Sequence, residues 1–292
     1  MVRAAFVSPA ERAVFIFRFV CMFSRIRPLL FSIILILPLI AVAQVERAEV
    51  NLDYVAKLAL DRARSAFRSP RLNFPEVLRE EKLNYDNYRK IRFRHDRALW
   101  FADQLPFRVE FFHPGYIYQE PVRMFEFTRT HVQNIRFVQD WFDYSDLKIE
   151  GDIPVNTGYA GFKVAHPLNR PGEYSELAVF QGASYFRMLG RNLRYGASAR
   201  GLALDCGEPD RPEEFPLFTD YWLGKPNTHD GHLLIYALLD SVSCTGAYEF
   251  RIQPGEPTVA RISAIVFFRE QAKVIAANKD RKPLETMGIA PL

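Results

Sequence analysis

Residues 105–122 read Leu-Pro-Phe-Arg-Val-Glu-Phe-Phe-His-Pro-Gly-Tyr-Ile-Tyr-Gln-Glu-Pro-Val. Phe107, Val109 and Phe111 alternate with Arg108 and Glu110, the period of two that marks a half-buried strand. Pro114-Gly115 supplies a turn, and Arg123, Phe125 and Phe127 resume the alternation beyond it. Further along the chain, strand patterns recur at Ile135 and Phe137, then at 161–165, 176–180, 201–204, 233–239, 247–252 and Val259–Phe268. Turn clusters (Pro171-Gly172, Gly207-Glu208-Pro209, Pro254-Gly255) separate them at short, fairly regular intervals. Such spacing predicts a mainly β protein built as a large antiparallel sandwich. Helical spacing is confined to a few segments. Asn51 stands as a cap before Leu52, Val55, Leu58, Ala59 and Arg62, and that helix ends before Pro70. A second short helix is expected over 75–81 and a last one over 273–278, while 85–90 fits either state.

The net charge of +4 lies in the first 43 residues, which hold five arginines and one glutamate. Without them, 38 basic and 34 acidic residues become 33 of each. A chain with no basic surplus lacks the electrostatic footprint of a phosphate-binding surface, which argues against nucleic acid as a partner. The leader itself has secretory form: from Met22 a short basic stretch precedes the apolar run 29–40 and the small-x-small triplet Ala41-Val42-Ala43. Residues 1–43 therefore form the expected signal region, with Met22 as the start and cleavage before Gln44. The apolar stretch 13–22 leaves an uncleaved anchor as the alternative. Cys206 and Cys244 would lie in an oxidising compartment, where a single bridge is one option and two unpaired thiols the other.

No Gly-x-Ser-x-Gly elbow, glycine-rich phosphate loop or paired-histidine metal motif occurs, and no metal or cofactor is expected. Asp205, Asp220, Asp230 and Asp240 are carboxylates of the type that glycoside hydrolysis requires. Each is expected at a strand end, where aspartate commonly fixes a turn, and that reading outweighs a catalytic one. Residues 180–202, Phe-Gln-Gly-Ala-Ser-Tyr-Phe-Arg-Met-Leu-Gly-Arg-Asn-Leu-Arg-Tyr-Gly-Ala-Ser-Ala-Arg-Gly-Leu, place aromatics and arginines beside Gly and Ser. Aromatic faces stack on the C–H faces of sugars, and arginine donates fixed pairs of hydrogen bonds to oxygen ligands. Tyr185, Arg187, Tyr195 and Arg200 are thus candidates for a substrate-binding groove. A strand-rich core with tight turns accounts for the same composition.

Several long phrases in order resemble the periplasmic glucan biosynthesis proteins of the G/D type. They include 88–94 (Tyr-Arg-Lys-Ile-Arg-Phe-Arg), the 105–122 stretch, 158–162 (Gly-Tyr-Ala-Gly-Phe), 182–187 (Gly-Ala-Ser-Tyr-Phe-Arg), 195–203 (Tyr-Gly-Ala-Ser-Ala-Arg-Gly-Leu-Ala) and 288–292 (Gly-Ile-Ala-Pro-Leu). The resemblance implies a galactose-mutarotase-like sugar-binding sandwich, followed in the family by a smaller immunoglobulin-like domain. It also implies work on β-1,2-linked glucan backbones in the periplasm, resembling inverting glycoside hydrolases, with the inner-membrane glucan synthase as a further partner. The chain stops at Leu292, where relatives continue. Residues 44–292 are therefore expected to be the N-terminal part of the sandwich domain, C-terminally truncated. The family's catalytic carboxylates are expected beyond Leu292, so no catalytic residue is assigned here. A non-catalytic carbohydrate-binding scaffold and a nonfunctional fragment are the competing expectations.

Overall fold

The computed structural model describes residues 2–4, 49–145, 147–278, 282, 284 and 286–291. The expected Met22 start, the 29–40 apolar run and the cleavage site all lie outside these. In chain order the elements are β1 (Val2–Ala4), α1 (Leu52–Ala63), α2 (Tyr85–Tyr88), β2 (Arg92–Phe93), β3 (Arg108–Phe112), β4 (Arg123–Phe127), β5 (Val132–Ile135) and β6 (Phe142–Asp143). There follow β7 (Gly161–Arg170), β8 (Glu173–Gln181), β9 (Tyr185–Met188), β10 (Ala197–Leu204), β11 (Leu217–Gly224) and β12 (Leu233–Asp240). The last are β13 (Cys244–Gln253), β14 (Val259–Phe268), α3 (Gln271–Ala277) and β15 (Met287–Pro291). One sheet runs in the order β1-β14-β13-β12-β11-β4-β5 and the other β15-β10-β9-β8-β7-β3, with β2 and β6 as a separate small ladder.

The two large sheets bury a common core between them. Phe180, Phe218 and Phe250 have 0–1% exposure, and Phe180 and Phe218 each meet Phe250 edge to face at 5.1 and 5.9 Å. Full burial of each such ring stabilises by roughly 1.5–3 kcal/mol. Gly161 opens β7 where that strand presses on β8: its φ is +143°, and a Cβ there would lie 2.1 Å from the Phe180 carbonyl oxygen. Only glycine fits such an approach.

On the far side of the first sheet lies α1. The Asn51 side chain accepts from Tyr54 N at 2.8 Å and starts the helix as its cap. Val55 and Ala59 are fully buried, packed against a patch of Trp222, Tyr236, Leu238 and Ala247. Alanines at 56, 59 and 63 keep this face thin enough for close approach. The result is three layers, helix on sheet on sheet.

The mainly β sandwich is as expected, with a parallel pairing of β4 and β11 inside an otherwise largely antiparallel arrangement. Two other expectations need correction. The 75–81 helix is only a 3-10 turn over Glu76–Leu78. Asp220 stands inside β11 rather than at a strand end. Cys206 is exposed and Cys244 buried, and the two are not bridged.

Candidate functional site

Along β9, Phe186 faces the core, 5.8 Å from Phe180 and 5.3 Å from Phe250 by ring centroids. Alternation then turns Tyr185 and Arg187 to the outer face. Arg200 is the register partner of Tyr185 on β10, its guanidinium carbon 5.8 Å from the ring centroid. Phe215 lies 5.7 Å from the same guanidinium and is 50% exposed. Sequence reasoning missed Phe215, which sits in an irregular segment with no periodicity. Arg187 donates from Nε and Nη2 to Glu176 Oε1 at 3.2 and 2.6 Å. Tyr195 lies in the β9–β10 connection with 89% of its surface in solvent.

The Gly/Ser-rich context predicts that these side chains escape the core, and Arg200 does not. It is 5% exposed. Its Nη1 donates to the Glu213 carboxylate and its Nη2 to Cys206 Sγ at 3.1 Å, both from the segment that follows β10. Arg200 is therefore committed to holding that segment. The structure brings Tyr185, Arg187 and Arg200 onto one strand pair, with Tyr195 in the loop joining it.

A second concavity of about 690 Å³ opens beside the C-terminal end of α1, with Arg62, Thr219 and Asp240 in its lining and Arg68, Arg123 and Asn156 around them. Its chemistry comes from residues that the topology gathers on the helix-facing side of the first sheet. Asp220 pairs with Arg123 through Oδ1 at 2.5 Å, while its Oδ2 accepts from Thr219 Oγ1 at 2.7 Å. Arg62 Nη1 reaches Asp220 Oδ2 at 3.6 Å and Asp240 Oδ2 at 3.4 Å. Asp240 Oδ1 in turn accepts from Arg269 Nη2 at 2.7 Å. Burial pushes the Asp240 carboxyl above its ordinary range, against the opposing pull of Arg269 and Arg62.

Glycosidic acid–base work needs a carboxyl oxygen free to face the scissile bond. Every oxygen of Asp220 and Asp240 is already claimed by a guanidinium or hydroxyl. The cluster clamps α1 onto the sheet. Among the described residues, no group of three or more His, Cys, Asp or Glu is placed to hold a metal ion.

These elements define a β-sandwich protein whose exposed Tyr and Arg side chains lie outside the core and whose buried carboxylates serve the fold. Residues 50–292 match the family described as "Periplasmic glucan biosynthesis protein, MdoG", and the chain belongs to it. It is 41% identical over 242 residues to Glucans biosynthesis protein G of Pseudomonas putida KT2440, covering 83% of this chain and 41% of that protein. The corresponding protein of Serratia proteamaculans is 42% identical over 221 residues, 76% of this chain and 42% of its own length. That of Pseudomonas syringae pv. tomato is 40% identical over 242 residues, with 83% and 35% covered. The chain thus spans about two fifths of the length of the curated relatives it matches. The family's name gives its compartment as the periplasm. No described helix is long and apolar enough to cross a membrane.

Proposed function

We propose that this chain is a periplasmic, glucan-binding part of the machinery that makes osmoregulated periplasmic glucans, reached by export through a cleaved signal at 1–43. The family match over residues 50–292 carries this reading. The even charge balance beyond residue 43 suits a neutral polysaccharide, and the inner-membrane glucan synthase is the natural partner for a protein that receives its product. The glucan is a β-1,2-linked chain that lies across the outer face of β9 and β10. There Tyr185 and Tyr195 offer ring faces to sugar C–H surfaces, and Arg187 offers guanidinium donors to hydroxyls. Arg200 acts behind them as a positioning residue for Tyr185 and Phe215.

Binding without chemistry is favoured for this chain, because Asp220 and Asp240 have no unclaimed oxygen. Tyr195→Ala and Arg187→Ala should each weaken β-1,2-glucan binding, by about five- to tenfold for the stacking ring. Neither should move the melting temperature by more than a degree or two. Unchanged affinity in both variants would remove this face from the glucan site. Arg200→Ala should instead lower stability, on the order of 1–3 kcal/mol, by leaving Glu213 without its guanidinium partner.

A further inference from the structure

The turn within the 105–122 stretch contributes nothing to the β9–β10 face, yet it is built with unusual care. Gly115 N donates to Tyr118 O at 3.0 Å, Tyr118 N returns to Gly115 O at 2.9 Å, and Tyr116 N donates to Leu78 O at 3.0 Å. The Gln119 side chain donates to Tyr116 O at 2.6 Å. Gly115 has φ +138°, and a Cβ there would lie 2.7 Å from Leu83 Cδ2. Tyr116 itself sits at φ +55°, a left-handed conformation that ring-bearing residues avoid and that the surrounding hydrogen bonds enforce.

The effect of the strained turn is to set Tyr116 and Tyr118 beside Tyr85 and Tyr88 of α2. Ring centroids are 5.9 Å apart for Tyr85–Tyr116, 5.9 Å for Tyr88–Tyr116 and 5.8 Å for Tyr88–Tyr118. Tyr85 is 57% exposed and Ile117, between the two turn tyrosines, 59%. Of the four phenols, Tyr88 is anchored, donating to His113 O at 2.8 Å. The hydroxyls of Tyr85, Tyr116 and Tyr118 make no hydrogen bond to a described residue. Tyr118 also lines a cleft of about 190 Å³ with Glu120, Gln181, Gly182 and Ala183. That wall is the β8–β9 connection, which runs directly into Tyr185.

We propose that Tyr85, Tyr116 and Tyr118 form an aromatic track for a linear glucan chain, leading through this cleft to Tyr185. The inference rests on the glucan-binding reading above and adds to it a second set of sugar subsites. Tyr85 is exposed with the Arg89 guanidinium 5.9 Å from its ring centroid, and Tyr116 and Tyr118 are half-buried behind it. Aromatic surface with unengaged hydroxyls and a guanidinium beside it matches a ligand that is itself apolar on its faces and polar on its rim. An apolar peptide would leave those hydroxyls unpaired.

Length dependence tests the track. The purified chain is titrated with linear β-1,2-glucooligosaccharides of increasing length, as wild type, Tyr85→Ala and Tyr116→Phe. Stacking at the outer end predicts that wild-type affinity rises with length, and that Tyr85→Ala abolishes that rise, costing about fivefold for the longest oligosaccharides while sparing the shortest. Tyr116→Phe keeps the ring but loses the hydroxyl, and should keep the rise with length while weakening the longest oligosaccharides by less than Tyr85→Ala does. Tyr85 is largely in solvent, so its removal leaves the fold intact, and a wild-type thermal transition confirms this. Binding that is normal at every length in Tyr85→Ala overturns the track while leaving the glucan-binding reading in place. A wild-type chain that binds no oligosaccharide overturns both.

Discussion

His113 shows how much a single enclosed side chain can set solution behaviour. It is 4% exposed, its ring packed edge-on against Phe137 and Phe142 at 5.4 and 4.9 Å, with Nε2 2.9 Å from the Tyr144 hydroxyl. Burial lowers its pKa to about 4, whereas the unfolded imidazole titrates near 6.5. Between those values the unfolded chain holds the extra proton, so stability is complete above pH 6.5 and is lost as pH falls toward 4. The loss from this group approaches about 3 kcal/mol. Burial and Arg191 shift His166 in the same direction. The melting temperature should therefore fall from pH 7.5 to pH 5, and His113→Leu should flatten much of that slope. A wild-type melting temperature that is level across the range would contradict the burial of a neutral imidazole. Arg200 illustrates the opposite difficulty at this scale. Its Gly and Ser neighbours are visible in the sequence, but the segment that folds over it and brings Glu213 is not.

Among the elements, α1 was legible down to its cap. Asn51, the apolar spacing and even Arg62 on the inner face follow from helical periodicity, and Arg62 does point at the sheet. Val259–Phe268 and Arg123–Phe127 fall where alternation puts them. The strand that gives Arg62 its purpose was not legible. All eight residues of Leu217–Gly224 are buried, one side on the inter-sheet core and the other under α1, so no alternation marks it. Its parallel pairing with β4 joins segments almost a hundred residues apart, beyond any local signal. Asp220 consequently looked like a turn residue. The clamp it belongs to is closed by Arg269, whose side chain is fully buried. Nε donates to Ser65 O at 2.7 Å, Nη1 to Cys244 O at 2.9 Å and Nη2 to Arg62 O at 3.2 Å. Arg269 thereby holds carbonyls at the end of α1 as well as Asp240. Arg269→Met should cost about 3–5 kcal/mol, because it strands a buried carboxylate. Fluorescence of Trp222, against which Tyr54 of α1 packs at 6.1 Å, should report helix release at lower denaturant than in the wild type. A loss under about 1 kcal/mol would mean that α1 is held by its apolar face alone.

At the scale of the whole molecule, the sandwich is filled unevenly. The β11–β13 strands are covered on both faces, while β14 at the edge is mostly half-buried, with Val259 43% exposed. Among the described residues its outer edge pairs only at Ala264–Val266, with Val2–Ala4. A cavity of about 300 Å³ lies alongside, lined by Leu202, Tyr248, Ile262, Ala264 and Val266. An edge of this kind readily accepts another strand, from the same chain or a second one. Phe186 of β9 and Arg200 of β10 also line that cavity, so the edge adjoins the strand pair proposed to carry the glucan. The central proposal is that this chain binds glucan through stacking and hydrogen bonds without hydrolysing it. Equilibrium titration of the purified chain with β-1,2-glucan at low and high salt, with reducing ends assayed over the same incubation, tests it most directly. The account predicts saturable binding that changes little with salt, because the ligand is neutral, and no new reducing ends. Absence of saturable binding, or release of reducing ends by the purified chain, would contradict it.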